Sequence, residues 1–157
     1  MSHGIKTVFS PCRTYRYTLW RVFKPEGNFA VFIGLNPSTA DEITDDLTIR
    51  RCIGFAKKWN FAAVCMLNIF AFRNTNPLVL QTVCDPIGPR NNLWIETIAN
   101  KADLVVAAWG NRGSYLNRSE SIKYLIHKQM YCLGLTKSGQ PKHPLYIAGD
   151  MPLIKYR

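Results

Sequence analysis

The side chains able to do chemistry gather in four short segments. The first is Gly34-Leu35-Asn36-Pro37-Ser38-Thr39, which follows the apolar run Phe29-Ala30-Val31-Phe32-Ile33. The second runs from Asn68 to Arg73, the third is Trp109-Gly110-Asn111-Arg112, and the fourth extends from Thr136 to Tyr146 with Lys137, Lys142 and His143 in it. An asparagine carries an acceptor oxygen and a two-hydrogen donor, so Asn68 could pair with the edge of a pyrimidine. Asn36 could orient a water through its carbonyl, but an amide is no base at neutral pH and could hardly deprotonate one. Asn36, Ser38 and Thr39 could equally bond their own backbone and shape a turn. His143 could donate to a developing oxyanion. Of the other two histidines, His127 falls in a predicted helix and His3 near the N-terminus. The fork of Arg73 suits a phosphate or carboxylate. Phe70 or Phe72 could stack on a base, worth about 1–3 kcal/mol, or pack in the core.

A fifth feature is acidic. Asp41, Glu42, Asp45 and Asp46 fall within six residues. Carboxylates are what a hard cation such as Mg²⁺ prefers, and they are also favoured at a helix N-terminus. Asp41, Asp45 or Asp46 could supply a general base if the loop folds back over the preceding turn.

The elements that must position these groups are readable from periodicity. Tyr15–Phe23 alternates loosely and is rich in aromatics, which predicts a strand. Asn28–Leu35, Phe61–Phe70, Asp103–Gly110 and Met130–Thr136 are continuous apolar runs, as strands buried on both faces are. Between them, residues 45–60 predict a helix capped by Asp45 or Asp46, residues 91–102 a helix capped near Asn91, and residues 119–129 a helix starting near Ser119. The alternation predicts a single α/β domain over residues 1–157: a three-layer α/β/α sandwich around a central, mostly parallel four-stranded sheet, with an N-terminal strand or hairpin. Ligands of such sheets sit outside the carboxyl ends of the strands, where the four segments would meet. Trp109 and Gly110 would then close the floor of a pocket.

Composition narrows the class. A formal net charge of +10 on 157 residues is the footprint of a polyanion partner, which suggests nucleic acid or a nucleotide. Lys137 and Lys142 could grip phosphates. No apolar run approaches the roughly 20 residues that span a bilayer, and no basic amphipathic helix suggests a membrane surface. The five cysteines are widely spaced without a CxxC, which fits reduced thiols in a cytoplasmic protein and neither zinc nor disulfides. The N-terminus reads as no secretory signal. No cofactor is implied, and nothing sets an oligomeric state.

The segments "GLNPSTAD", "NIFAFR", "AAWG" and "LGLTKSGQPKHPLY" resemble, over nearly the whole chain, the bacterial and phage family catalogued as domain of unknown function 1643. In the same order they are similar, more distantly, to the uracil-DNA glycosylase superfamily. Its members carry a water-activating G-x-[DN]-P loop, matched by Gly34-Leu35-Asn36-Pro37. They carry a strand ending in a base-reading Asn, matched by Leu67-Asn68, and a strand ending in Trp-Gly, matched by Trp109-Gly110. Their last loop holds His-Pro and a Leu that wedges into DNA, matched by His143, Pro144 and Leu145, with Tyr146 beside them. The resemblance implies a uracil-DNA-glycosylase-like fold. It also implies Asn36 orienting water, Asn68 reading the base, and His143 stabilising the leaving base. Gly34, Leu35, Pro37, Ser38, Phe70, Arg73, Trp109 and Gly110 would line the pocket, with Lys137, Lys142, Leu145 and Tyr146 on the nucleic acid. Two features depart from the superfamily: His143-Pro144 runs straight into Leu145, and the acidic cluster has no counterpart.

Three functions are compatible with these residues. One is a DNA glycosylase-like hydrolase of an N-glycosidic bond, with DNA as partner. Another is a non-catalytic module that binds a nucleotide or modified base on the same fold. The last is a Mg²⁺-dependent enzyme on a nucleotide metabolite.

Overall fold

Residues 29–34 are apolar without alternation because the sheet they enter is covered on both faces. The computed structural model describes residues 6–157, so His3 lies outside the described residues. In chain order the elements are β1 (Val8–Phe9), β2 (Arg16–Val22), β3 (Phe29–Gly34), α1 (Leu47–Lys58), β4 (Ala63–Asn68), α2 (Asn91–Ala99), β5 (Leu104–Ala107), α3 (Arg118–Leu125), β6 (Met130–Cys132) and β7 (Ile154–Lys155). Short 3-10 turns lie at Pro77–Gln81, Asn111–Asn117 and Pro144–Tyr146.

The strands form one seven-stranded sheet in the order β1-β2-β4-β3-β5-β6-β7. The strands β4, β3, β5 and β6 are parallel to one another, whereas β2 joins β4, β7 joins β6 and β1 joins β2 antiparallel. The expected four-stranded sheet is therefore too narrow. The aromatic segment β2 lies along β4 and extends the sheet, and β7 is a two-residue exposed strand with too few positions to show a period.

Register places the strand ends level. Gly34 of β3 lies opposite Asn68 of β4, and Ile33 lies opposite Ala107 of β5. Ala107 in turn pairs with Cys132 of β6. All four parallel strands thus release their chains at one edge.

Helix α1 covers one face. Asp46 caps it, accepting from the Ile49 N–H at 2.9 Å, and Lys57 and Lys58 in the last turn complement its dipole. Ile49, Cys52, Phe55 and Ala56 form its buried stripe and pack with Phe32, Val64 and Met66. On the other face, Ile95 and Ile98 of α2 and Ile122 of α3 pack with Val31, Ile33 and Leu67. Helix α3 stops at Leu125 because Ile126 is extended, so His127 lies beyond the helix predicted to contain it. The strands are also shorter than the apolar runs: Ile69, Phe70 and Ala71 are fully buried yet lie past β4.

Asn91 is not the cap of α2. It is the first helical residue, is fully buried, and its Nδ2 donates to the Asn68 carbonyl at 2.8 Å and the Ile69 carbonyl at 3.3 Å. Arg118, buried at the start of α3, donates from Nε to the same Ile69 carbonyl at 2.9 Å and from Nη2 to Asn92 Oδ1 at 2.8 Å. Desolvation pushes its pKa down to about 10, which still leaves it charged at neutral pH. Both helices on this face thereby hold the point where β4 ends. Among the described residues, no helix is long and apolar enough to cross a membrane.

Replacing Asn91 by Ala would leave buried carbonyls of Asn68 and Ile69 short of donors. The expected cost is about 1–3 kcal/mol, measured as a lower midpoint in urea unfolding with an unchanged slope.

Candidate functional site

A cavity of about 950 Å³ opens at the carboxyl edge of the sheet. Gly34, Leu35, Asn36 and Ser38 enter it from the end of β3, Asn68 from β4 and Trp109 from beyond β5. Asp46, Thr48 and Ile49 come from the start of α1, and His143, Leu145 and Tyr146 from the 3-10 turn near the C-terminus. Arg16 of β2 lines it as well, and Asn74 to Gln81 supply part of its wall. The volume lies within the roughly 300–1,000 Å³ of small-molecule sites.

Asn36 is half-buried. Its Nδ2 donates to the Asn74 carbonyl at 2.9 Å and to the Pro37 carbonyl at 3.2 Å, which commits the amide hydrogens and leaves Oδ1 without a partner among the described residues. The Asn74 N–H donates back to the Pro37 carbonyl at 3.0 Å, so Pro37 closes the turn and does not line the cavity.

Asn68 has the opposite polarity. Its Oδ1 accepts from Arg16 Nη2 at 3.2 Å, and only an oxygen can do so. The amide orientation is thereby fixed, with Nδ2 on the side of Gly34. A Cβ on Gly34 would come within 2.9 Å of that Nδ2 and 2.7 Å of Met66 Cε, so glycine here is a requirement of close approach.

Arg16 is 2% exposed. Its Nη1 donates to the Ala40 carbonyl at 3.0 Å, and its Nε has no partner. Burial pushes its pKa down to about 10, partly opposed by the field of Asp46, and it stays charged at neutral pH.

His143 caps its own turn. The Leu145 N–H donates to Nδ1 at 3.3 Å, so in the neutral ring the proton sits on Nε2. Desolvation depresses its pKa, and Asp46 opposes that shift. The turn is held from α1: Arg51 Nε donates to the Pro144 carbonyl at 3.3 Å, and Arg51 Nη2 donates to the Ile147 carbonyl.

The acidic cluster divides. Asp41 Oδ1 accepts from the N–H groups of Ile43 and Thr44 at 2.9 and 2.7 Å. Glu42 is forked by Arg13 at 2.6 and 3.0 Å, which holds its pKa down at about 2. Asp45 pairs with Arg21 at 2.7 Å. Asp46 alone of these carboxylates reaches the cavity. Among the described residues, no three His, Cys, Asp or Glu side chains gather as a metal site.

Several expected site residues stand elsewhere. Phe70 is fully buried with its ring 5.7 Å from that of Tyr115, so it packs the core and cannot stack on a ligand. Phe72 packs edge-on to Tyr15. Arg73 does not line the cavity; it donates to the Arg13 carbonyl at 3.1 Å and lies over the Phe9 ring. Gly110 does not line the cavity; its φ of 72° is what calls for glycine. Lys137 and Lys142 are exposed and outside the cavity lining. Trp109 does reach the cavity, and its Nε1 donates to Gln140 at 2.8 Å.

Sequence reasoning missed Arg16. Its one signal is a charge inside the aromatic strand Tyr15-Arg16-Tyr17, since a fully buried arginine is rare without a partner to serve.

The chain belongs to the family described as Protein of unknown function (DUF1643), whose model matches residues 16–145. The matched span runs from Arg16 to Leu145 and so takes in the strand ends, the start of α1 and the His-Pro turn. No curated protein and no solved structure matches the chain.

His143 should titrate below the ordinary histidine range. Asp46→Asn, which keeps a helix cap, should lower it further, because the carboxylate that favours imidazolium is gone. Titrating the imidazole by NMR in both proteins checks this. Since the folded state favours neutral His143, this ring's contribution to stability is present above the ordinary histidine pKa and lost as the pH falls through the depressed one.

Proposed function

We propose that the cavity accepts a nucleobase and that the protein hydrolyses an N-glycosidic bond in nucleic acid, on a sheet of the uracil-DNA glycosylase kind. The observation that carries this reading is the meeting of Asn36, Asn68 and His143 in one cavity. They come from three separate segments of the chain, and each has one polar function left over. Asn36 offers Oδ1, an acceptor for a water. Asn68 offers the N–H groups of Nδ2, donors for a base carbonyl. His143 offers Nε2–H, a neutral donor for the same base.

The cavity also contains what an amide cannot provide. Glycoside hydrolysis builds positive charge on the sugar and negative charge on the leaving group. The C1′–N bond breaks with its electron pair left on the base. The water oxygen bonds to C1′, and its proton must go to a base. Asp46 fills that role in this reading, with Asn36 holding the water. The departing anion meets Asn68 and His143, donors fixed in place before reaction, which is where electrostatic preorganisation acts. It is protonated on release. A base in a duplex would have to be extruded to reach so recessed a site. Leu145 and Tyr146 line the cavity and are substantially exposed, at 38% and 84%, which suits groups that contact the strand left behind.

A second reading keeps the recognition and omits the chemistry. Asp46 Oδ1 is engaged by the Ile49 N–H, so a single carboxylate must serve as both cap and base. The test is incubation with oligonucleotides carrying uracil, hypoxanthine and modified pyrimidines. Abasic product is expected, falling about 10²–10⁴-fold in Asp46→Asn, the span of a general base. Binding without product across the panel, lost in Asn68→Ala, would replace the hydrolase by the binding module.

A further inference from the structure

The lining of the cavity carries a buried charge without an ion-pair partner. Arg16 donates only to neutral oxygens, those of Ala40 and Asn68. Among the described residues no carboxylate comes within ion-pairing distance of it. The charged groups around it are Asp46, Arg21 and Arg73, of which the two arginines repel it. A buried cation without a counter-charge is costly, and folding alone gives no return for it. Its Nε remains unpartnered as well. Arg118, the other buried arginine, donates to a backbone carbonyl and a side-chain amide at a junction of elements outside the cavity lining. Arg16 sits at the cavity.

We propose that the inner end of the cavity is an anion subsite, where Arg16 acts through the Asn68 amide on a ligand that carries or develops negative charge. Arg16 holds Asn68 Oδ1, so Nδ2 is the atom presented to the ligand. The cation polarises that amide and makes its N–H groups stronger donors to an anion. Arg16 is thus a positioning residue. Within the hydrolase reading, on which the identity of the ligand rests, the anion is the departing base. A neutral amine at the same place would face donors and a positive field, and would be rejected.

Two free bases of similar shape probe the subsite without any turnover. 5-Nitrouracil is ionised near neutral pH, and uracil is neutral there. Calorimetric titration at neutral pH should give a roughly 10- to 100-fold preference of the wild-type protein for the anion, the range of a hydrogen bond to a charged group. Arg16→Met should abolish the preference; it removes a buried charge but also leaves the Ala40 and Asn68 oxygens without that donor, so circular dichroism checks that the variant is folded. Arg16→Lys should retain part of it, and Arg50→Ala, at an exposed arginine of α1 outside the cavity lining, should leave it in place. Equal affinity for the two bases in the wild-type protein would overturn the proposal, and this measurement stands even if Arg16→Met does not fold. A preference that persists in Arg16→Met would overturn it as well. The two readings fail separately. Anion preference without abasic product removes the hydrolase and keeps the subsite, whereas abasic product without anion preference removes the subsite and keeps the hydrolase.

Discussion

The end of β4 is the constraint on which the rest of the structure depends. Asn68 is a polar residue 2% exposed at the carboxyl end of a central strand, and the chain continues from it through buried Ile69 and Phe70. A strand that ends inside the protein leaves carbonyls and an amide with no water to bond, and each would be expensive if unmade. Three side chains meet that demand. Asn91 takes the Asn68 and Ile69 carbonyls, Arg118 takes Ile69 again, and Arg16 takes the Asn68 side chain. Gly34 leaves the space. Helices α2 and α3 and strands β2 and β3 are thereby docked to one point, and the geometry that stabilises the sheet also aims Nδ2 of Asn68.

Much of the positive charge serves the protein's own structure. Several cations are spent on the protein's own oxygens. Arg16, Arg51 and Arg118 donate to backbone carbonyls, Lys58 donates to the Gly149 carbonyl at 2.9 Å, and Arg21 and Arg13 neutralise Asp45 and Glu42. A guanidinium suits this work because five N–H groups in a plane can serve separated acceptors at once. Net charge read from sequence counts these residues as though they faced a polyanion. Only the remainder, Lys137 and Lys142 among them, is free to do so.

Legibility followed periodicity. The four parallel strands and three helices were visible because their apolar runs are long, and their ends were overrun because apolar residues such as Ile69, Phe70 and Leu133 stay buried after the strand stops. The two-residue strands β1 and β7 carry no period to detect. In the site, Asn36, Asn68 and His143 were legible as polar groups placed after strands. Phe70 and Arg73 were misassigned because adjacency to Asn68 in sequence does not mean a shared direction, and the chain turns there beneath Tyr115 on one side and Phe9 on the other. Arg16 was hidden because its target is 52 positions away.

The acidic stretch that separates this chain from the glycosylase pattern acquires a specific meaning from its partners. Asp41, Glu42 and Asp45 are bound to backbone N–H groups or arginines and fix the loop. That fixed loop delivers Asp46 to the mouth of α1, where its carboxylate caps the helix, faces the cavity and raises the proton affinity of His143. In the proposed hydrolysis, a turn that offers Asn36 in place of a carboxylate would take its base from Asp46 at the start of the following helix. That proposed division would separate the group that orients the water from the group that takes its proton. It also brings a negative charge close to Arg16 without pairing with it. The cavity thus holds both a carboxylate and a guanidinium, the two charges that the proposed break into a sugar cation and a base anion would use.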